Sequence, residues 1–224
     1  MKVALAGGTG RPHAQWLARR RPAFGSALAL VATALILSIA LPPLVPNVWY
    51  RMAAAALVLS AFALARVDVG WRELFRPSPR HLVHGVAAAT FLYVAGAAVA
   101  RLLSASPALA AQIVTLYGWS TAVPREIAPA LVALVVLGEE IVWRGAVTLP
   151  LAARVGAWPG VLLAAAAFAA AHVALGVPVL LLAALGAGAF WSALVVKTRS
   201  AVPALVCHVL WDMAVLFWLP YVRP

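Results

Sequence analysis

The sequence has few charged residues and a single cysteine. Only 10% of its 224 residues are charged, and only six residues are acidic. Because Cys207 is the sole cysteine, the chain can form no internal disulfide and no cysteine-based metal site. Hydrophobic residues make up 65% of the chain, and the mean hydropathy is +1.00. A soluble domain of this size has no interior large enough to bury so much apolar surface, so the composition predicts a polytopic membrane protein.

The few charges are strongly biased towards cations. Lys and Arg number 17 against six Asp and Glu, which gives a formal net charge of +11. No basic helix or aromatic–basic surface module accompanies this excess, so we predict no nucleic-acid partner. In a membrane protein, cations mark cytoplasmic loops and contact anionic head groups, so membrane lipid is the expected partner. We interpret residues 1–24 as a basic, uneven cytoplasmic tail and residues 25–224 as a single transmembrane domain.

Seven apolar segments, separated by Pro and Gly, follow the tail. Several approach the ~20 residues that span a bilayer, and the second and fifth are shorter. The segments are 25–42, 51–66, 82–103, 127–149, 159–175, 178–196 and 200–219. The sequence therefore predicts an all-α, polytopic transmembrane helix bundle with about seven spans.

The distribution of cations predicts the orientation of this bundle. With a cytoplasmic N-terminus, the inner connections carry 12 cations and the outer connections carry four. The inner cations are Lys2, Arg11, Arg19, Arg20, Arg21, Arg66, Arg72, Arg76, Arg80, Arg154, Lys197 and Arg199, and the outer cations are Arg51, Arg101, Arg125 and Arg223. The positive-inside rule then favours an N-in, C-out protein, which we expect in a bacterial cytoplasmic (inner) membrane.

A cluster of charges interrupts the fourth apolar segment. Residues 138–145 read Gly-Glu-Glu-Ile-Val-Trp-Arg-Gly and contain two of the six acidic residues. Charges are costly both in lipid and in a protein core, so this stretch is the first candidate for chemistry. Glu140 and Arg144 are four residues apart and can pair on one helix face. Glu139 is turned ~100° away and remains available for another contact.

Two later segments also carry ionisable residues at a four-residue spacing. Phe168 and His172 share one face of the fifth segment, and His208 and Asp212 share one face of the seventh. Each motif alone has a structural interpretation, as an ionic clamp, a hydrogen-bonded packing residue or a buried pair. Three helices that each bring an acid or imidazole to membrane depth are hard to explain by packing, so we predict that they converge. The helical rise places Glu139 in the middle third of its helix, but it places His172 near an outer end.

These residues resemble the motifs of the CPBP family of intramembrane endopeptidases. That family includes type II CAAX prenyl proteases and bacteriocin-processing or immunity proteins, and its motifs are E-E-x-x-x-R, F-x-x-x-H and H-x-x-x-N/D. All three occur here in the family's order, over a protease core of about residues 127–219. The resemblance implies an endopeptidase that cuts a peptide bond near the membrane surface. The implied substrate is a prenylated C-terminus, a leader peptide or the C-terminal anchor of an exported protein.

The resemblance also implies a role for each motif residue. Glu139 would be the general base that activates water, assisted by His172, and His208 with Asp212 would stabilise the oxyanion. The supporting residues would be Glu140, Arg144 and Phe168. Many relatives have Asn at the position of Asp212; ionised Asp cannot donate a hydrogen bond, so it would instead orient His208, stay protonated or bind a metal. Glu139, His172, His208 and Asp212 could together bind zinc, so glutamic-type and metal-dependent proteolysis both stay open.

Two other classes of function stay open beside proteolysis. The same fold could serve as a non-catalytic membrane scaffold or bacteriocin-immunity protein, in which the polar residues only stabilise the bundle. Intramembrane acids and histidines also form relays in proton- or ion-coupled carriers. The sequence has no inverted repeat and no matching pair of broken helices, which makes a carrier the weaker alternative.

Overall fold

The computed structural model describes residues 10–222, apart from the side chains of residues 10–13 and 120. Every regular element in this range is helical, which confirms the predicted all-α class. The predicted cytoplasmic tail lies partly outside the described residues, since residues 1–9 and 223–224 are not among them. The remainder of the tail is more regular than its uneven composition predicted. It contains α1 (Gly10–Ala18), whose residues Trp16 and Leu17 are buried in the main core.

Ten further α-helices follow α1. They are α2 (Phe24–Ala40), α3 (Val48–Arg66), α4 (Trp71–Leu74), α5 (Pro79–Leu103), α6 (Pro107–Ser120), α7 (Ala128–Glu139), α8 (Leu149–Val155), α9 (Ala157–Ala171), α10 (Pro178–Thr198) and α11 (Val202–Met213). A π-helix, Glu140–Thr148, joins α7 to α8, and a second one, Ala214–Trp218, extends α11. Short 3-10 turns, Arg21–Ala23 and Val173–Leu175, precede α2 and follow α9.

Proline and polar caps set where several helices begin. Pro79, Pro107 and Pro178 each stand at the first position of a helix, where a missing backbone N–H costs nothing. The side chain of Asn47 accepts hydrogen bonds from two backbone N–H groups at the start of α3, and the hydroxyl of Ser78 accepts one from the His81 N–H at the start of α5. Pro79, Pro107 and Pro178 are among the residues at which the sequence predicted breaks between segments.

Contacts between loops assemble one end of the bundle. The backbone N–H of Ala201 donates to the carbonyl of Leu74 at 2.9 Å, which joins the α10–α11 connection to α4. The guanidinium carbon of Arg154 lies 5.9 Å from the Phe24 ring centroid, which brings the end of α8 beside the start of α2. We call this the basic end, because its connections carry ten described cations: Arg19, Arg20, Arg21, Arg66, Arg72, Arg76, Arg80, Arg154, Lys197 and Arg199.

The connections of the opposite end are joined in the same way. Asn47 Nδ2 donates to the carbonyl of Ala122 at 2.8 Å, which ties the α2–α3 connection to the end of α6. The backbone N–H of Val179 donates to Gln112 Oε1 at 3.0 Å, which ties the start of α10 to α6. Three described cations lie at this opposite end, namely Arg51, Arg101 and Arg125. The positive-inside rule favours a cytoplasmic basic end, and the orientation itself remains a prediction.

Among the described residues, five helices are long and apolar enough to cross a membrane. They are Arg21–Ala40, Val48–Arg66, Pro79–Leu103, Ala157–Leu175 and Pro178–Thr198. Each coincides with a predicted segment, and the second and fifth segments, which appeared short in the sequence, belong to helices of 19 residues. The other two predicted segments correspond to the stretch from α7 to α8 and to a shorter apolar helix, Val202–Trp218. The apolar helices indicate an integral membrane protein, and the count of seven spans stays a prediction.

The outer surface of the bundle is apolar where lipid would cover it. Only 6% of the most apolar window of α5 is buried within the protein. Val83, Phe91 and Val94 of this helix are each more than half exposed. In water such a face would be an aggregation hazard, whereas hydrocarbon solvates it without cost.

Candidate active site

The structure brings together the four residues for which the sequence predicted catalytic roles. Glu139 Oε1 lies 3.9 Å from His172 Nε2, and Glu139 Oε2 lies 3.8 Å from His208 Nε2. The same His208 nitrogen lies 3.7 Å from Asp212 Oδ2. Glu139 stands at the end of α7, His172 at the end of α9, and the other two residues on α11. Three helices that are distant in sequence therefore meet around the Glu139 carboxylate.

Glu139 and Glu140 lie where the helix changes from α-type to π-type. The α-helix ends at Glu139, and residues from Glu140 onward form the π-helix that leads to α8. The hydroxyl of Thr148 donates to the carbonyl of Trp143, five residues earlier, at 2.7 Å and contacts Ser192 Oγ at 3.0 Å. The apolar run 127–149 predicted a helix here but not its π-type winding. π-helical turns are rare and frequently occur at functional sites.

Gly138 fixes the distance between α7 and α3 directly before Glu139. A Cβ atom at this position would lie 2.6 Å from the Ala56 Cβ, closer than real Cβ atoms approach one another. The hydroxyl of Ser60 also donates to the carbonyl of Gly138 at 3.4 Å. Only glycine permits this approach, so the backbone that carries Glu139 rests against α3.

Glu140 contacts two partners with one oxygen. Its Oε1 lies 3.3 Å from Arg144 Nε and 2.9 Å from His208 Nδ1, and the side chains of Glu140 and Arg144 are both 0% exposed. The predicted Glu140–Arg144 pair is thus confirmed. A carboxylate paired with arginine only accepts hydrogen bonds, so we assign the hydrogen to Nδ1 of His208. Glu140 therefore fixes the imidazole that faces Glu139, in addition to balancing Arg144.

Two aromatic rings enclose the buried Arg144 guanidinium. Its Cζ lies 4.6 Å from the Phe168 ring centroid and 4.8 Å from the Trp191 ring centroid. Within residues 10–222, the three guanidinium nitrogens have no hydrogen-bond partner. The Glu140 carboxylate and the negative faces of the two rings therefore stabilise this cation. This contact explains why an aromatic residue accompanies His172 at a four-residue spacing.

The orientation of His172 is set by its own helix. Its Nδ1 lies 2.8 Å from the carbonyl oxygen of Phe168, which can only accept, so Nδ1 carries the hydrogen. In a neutral ring, Nε2 then presents a lone pair towards Glu139. The helical rise had placed His172 near the end of its helix, and it does cap α9. From this position its Nε2 still lies 3.9 Å from Glu139 Oε1.

Trp191 belongs to the site and was not predicted from the sequence. Its ring stacks on that of His208, with centroids 3.5 Å apart and an interplanar angle of 22°. Its indole N–H donates to Cys207 Sγ at 3.3 Å, so the cysteine is a buried acceptor. Trp191 lies in an apolar helix rich in small residues, where no charge or spacing distinguishes it from a packing residue.

A cavity of about 100 Å³ lies against Glu139 and His172. This volume is large enough for several water molecules. Its remaining lining is mostly apolar and comes from α2, α3, the end of α7, the π-helix that follows it, the end of α9 and the turn after α9. The side chains of Glu139, His172 and Asp212 retain 14%, 11% and 19% exposure, whereas that of Glu140 has none. Glu139 and His172 are therefore the ionisable members of the cluster that face the cavity.

Zinc binding by Glu139, His172, His208 and Asp212 stays a prediction. In the part of the chain that the structure describes, no group of three or more His, Cys, Asp or Glu side chains could hold a metal ion. Glu139, His172, His208 and Asp212 are close together, with separations of 3.9, 3.8 and 3.7 Å between their nearest nitrogen and oxygen atoms. We therefore derive no chemical step through zinc.

Comparison with known proteins agrees with the three motifs. Residues 121–214 match a family model described as type II CAAX prenyl endopeptidase, Rce1-like. This stretch includes all the motif residues, and the match confirms the predicted resemblance to the CPBP family. It supports a CAAX-type intramembrane endopeptidase in general and leaves the first 120 residues unmatched. No curated protein and no solved structure matches the chain.

Proposed function

We propose, from the Rce1-like match of residues 121–214, that this protein is an intramembrane endopeptidase in which Glu139 activates the attacking water. The observation that carries the proposal is the position of the Glu139 carboxylate, between two imidazoles and at the wall of a cavity. The enzyme acts in a bacterial cytoplasmic membrane, and its partners are membrane lipid and a membrane-anchored or leader peptide.

The distance between Glu139 and His172 suits a bridging water. A separation of 3.9 Å between Oε1 and Nε2 is too long for a direct hydrogen bond but can be bridged by one water molecule. Because His172 gives its Nδ1 hydrogen to Phe168, both facing atoms are acceptors. Such a water donates one hydrogen to each and keeps a lone pair free to attack a carbonyl carbon.

The proton transfers follow from this arrangement. As the water oxygen bonds to the peptide carbon, Glu139 takes its proton as a general base. Glu139 then gives that proton to the departing amine nitrogen as the C–N bond breaks. His172 accepts the second hydrogen bond of the water. This bond holds the water in line for attack and stabilises the positive charge that develops on the water oxygen. Glu139 carries out both proton transfers.

His208 and Asp212 serve the oxyanion in this proposal. Because the Nδ1 hydrogen of His208 is directed at Glu140, its Nε2 carries a hydrogen only in the imidazolium form. That form donates from Nε2 to the oxyanion, where fixed donors are most effective. Asp212, 3.7 Å from the same nitrogen, orients the ring and balances its charge. This role needs no hydrogen on the Asp212 carboxylate.

The experiment compares protein termini in membranes that contain either the wild-type protein or a Glu139→Ala variant. We expect a set of cleaved termini that is absent from the variant and from His172→Ala, while both variants remain inserted and folded. Thermal unfolding in detergent is the control for folding. Wild-type cleavage in both variants would contradict the catalytic assignment. Unfolding of both variants would instead favour the scaffold or immunity function.

A further inference from the structure

The cavity beside Glu139 reaches the surface at the end of the bundle opposite to the basic end. Its lining extends to the C-terminal end of α2, the first turn of α3 and the turn that follows α9. The residues at this rim are Leu41, Pro42, Arg51, Met52, Ala174 and Leu175. The hydrogen bond between Asn47 and Ala122 places the α2–α3 connection at the same end.

Within the described residues, the segment between Glu139 and the basic end is packed inside the bundle. Every residue from Val142 to Ala152, the stretch that leads from the motif to the basic end, is buried. Arg144 fills the space between two aromatic rings, and Thr148 is 0% exposed. A peptide can therefore reach Glu139 from the end opposite to the basic end. From the basic end it would meet packed side chains.

The charges of the two ends indicate which face of the membrane the opening meets. Ten described cations lie at the basic end and three at the opposite end. Cations within short loops strongly favour the cytoplasmic side. The basic end therefore faces the cytoplasm, and the rim of the cavity faces away from it.

We propose that the substrate is the apolar membrane anchor of a protein that has already crossed the membrane, cut at its non-cytoplasmic side. The proposal rests on the proposed function and selects among the substrates that the motifs allow. A lipid-modified C-terminus held at the cytoplasmic leaflet lies on the wrong side for this cavity. An anchor segment fits, because its apolar part can lie in the bilayer while its polar flank enters at the rim near Arg51.

Single-cysteine labelling tests the orientation directly. In a Cys207→Ser background, a cysteine replaces exposed Ala174 at the rim, exposed Asp68 at the basic end or exposed Thr121 at the opposite end. A membrane-impermeant maleimide should label the rim and opposite-end positions in spheroplasts, and the basic-end position only in inverted vesicles. Labelling of the rim position only in inverted vesicles would overturn the proposal.

The comparison of termini provides a second, independent readout. Proteins whose cleavage depends on Glu139 should carry export signals, and their new termini should lie on the non-cytoplasmic side of an anchor. Cleavage that depends on Glu139 but falls on cytoplasmic segments would overturn this inference and leave the proposed function intact. Absence of any Glu139-dependent cleavage would overturn both.

Discussion

A Gly138→Ala variant tests whether contact with α3 positions the Glu139 carboxylate, the proposed general base. The new Cβ would lie 2.6 Å from Ala56 Cβ and 3.2 Å from Ala56 Cα and O. Carbon atoms in contact are normally about 3.5–4.0 Å apart, so the two helices must separate by about 1 Å. Overpacking of this kind costs about 1–3 kcal/mol of unfolding free energy. A displacement of about 1 Å at a catalytic group can lower the rate about 100-fold.

The assay measures initial cleavage rates and thermal unfolding in the same membrane mimetic, with a substrate taken from the comparison of termini. Gly186→Ala is the matched control, because a Cβ at this exposed position of α10 meets nothing within 4 Å. It should leave cleavage unchanged and stabilise the helix by up to about 1 kcal/mol. Adding Ala56→Gly to the Gly138→Ala variant removes the nearest clashing atom, so most of the lost rate should return.

Two results would refute this reasoning. Wild-type cleavage by Gly138→Ala would show that the spacing of α3 and α7 does not position Glu139. A large loss of activity that Ala56→Gly leaves unchanged would show that the defect is not steric.

Three further predictions concern the residues around Glu139. Trp191→Leu removes the ring stacked on His208 and should lower kcat with little change in KM, whereas Trp191→Phe should recover part of kcat; equal losses in both variants would contradict a stacking role. Glu140→Gln leaves Arg144 buried without a counter-charge and should cost about 3–5 kcal/mol in chemical unfolding, and the double variant with Arg144→Met should cost less. Because the proposed mechanism activates water with Glu139 and His172 alone, cleavage should survive a zinc chelator; loss of activity that added zinc restores would refute this.

Much of the fold could be predicted because its signals are local. Apolar runs mark the spans, and residues such as Pro79 and Pro178 mark where they begin. The three motifs were recognisable because residues four apart share a helix face whatever the tertiary structure. The Glu140–Arg144 pair is an example, since Glu140 Oε1 lies 3.3 Å from Arg144 Nε.

The features that could not be predicted depend on contacts between distant segments. The link from Glu140 to His208 joins residues 68 positions apart, and helix periodicity carries no information about it. Trp191 gains its role only when α10 packs beside α11. The π-helix is stabilised in part by Thr148, whose hydroxyl bonds within its own helix and to Ser192 of α10. The predicted count of seven spans also depends on a bilayer, whose position no single sequence segment determines.

The central claim is that the Glu139 carboxylate is the general base for peptide hydrolysis. Its most direct test is the single-turnover cleavage rate of wild-type and Glu139→Gln protein in proteoliposomes, with the substrate at saturation. The amide keeps the size of the side chain but cannot take a proton from water, and general bases contribute about 10²–10⁴-fold. We predict a loss of that order, with unchanged unfolding and unchanged substrate binding. A Glu139→Gln rate close to that of the wild type would contradict the mechanism.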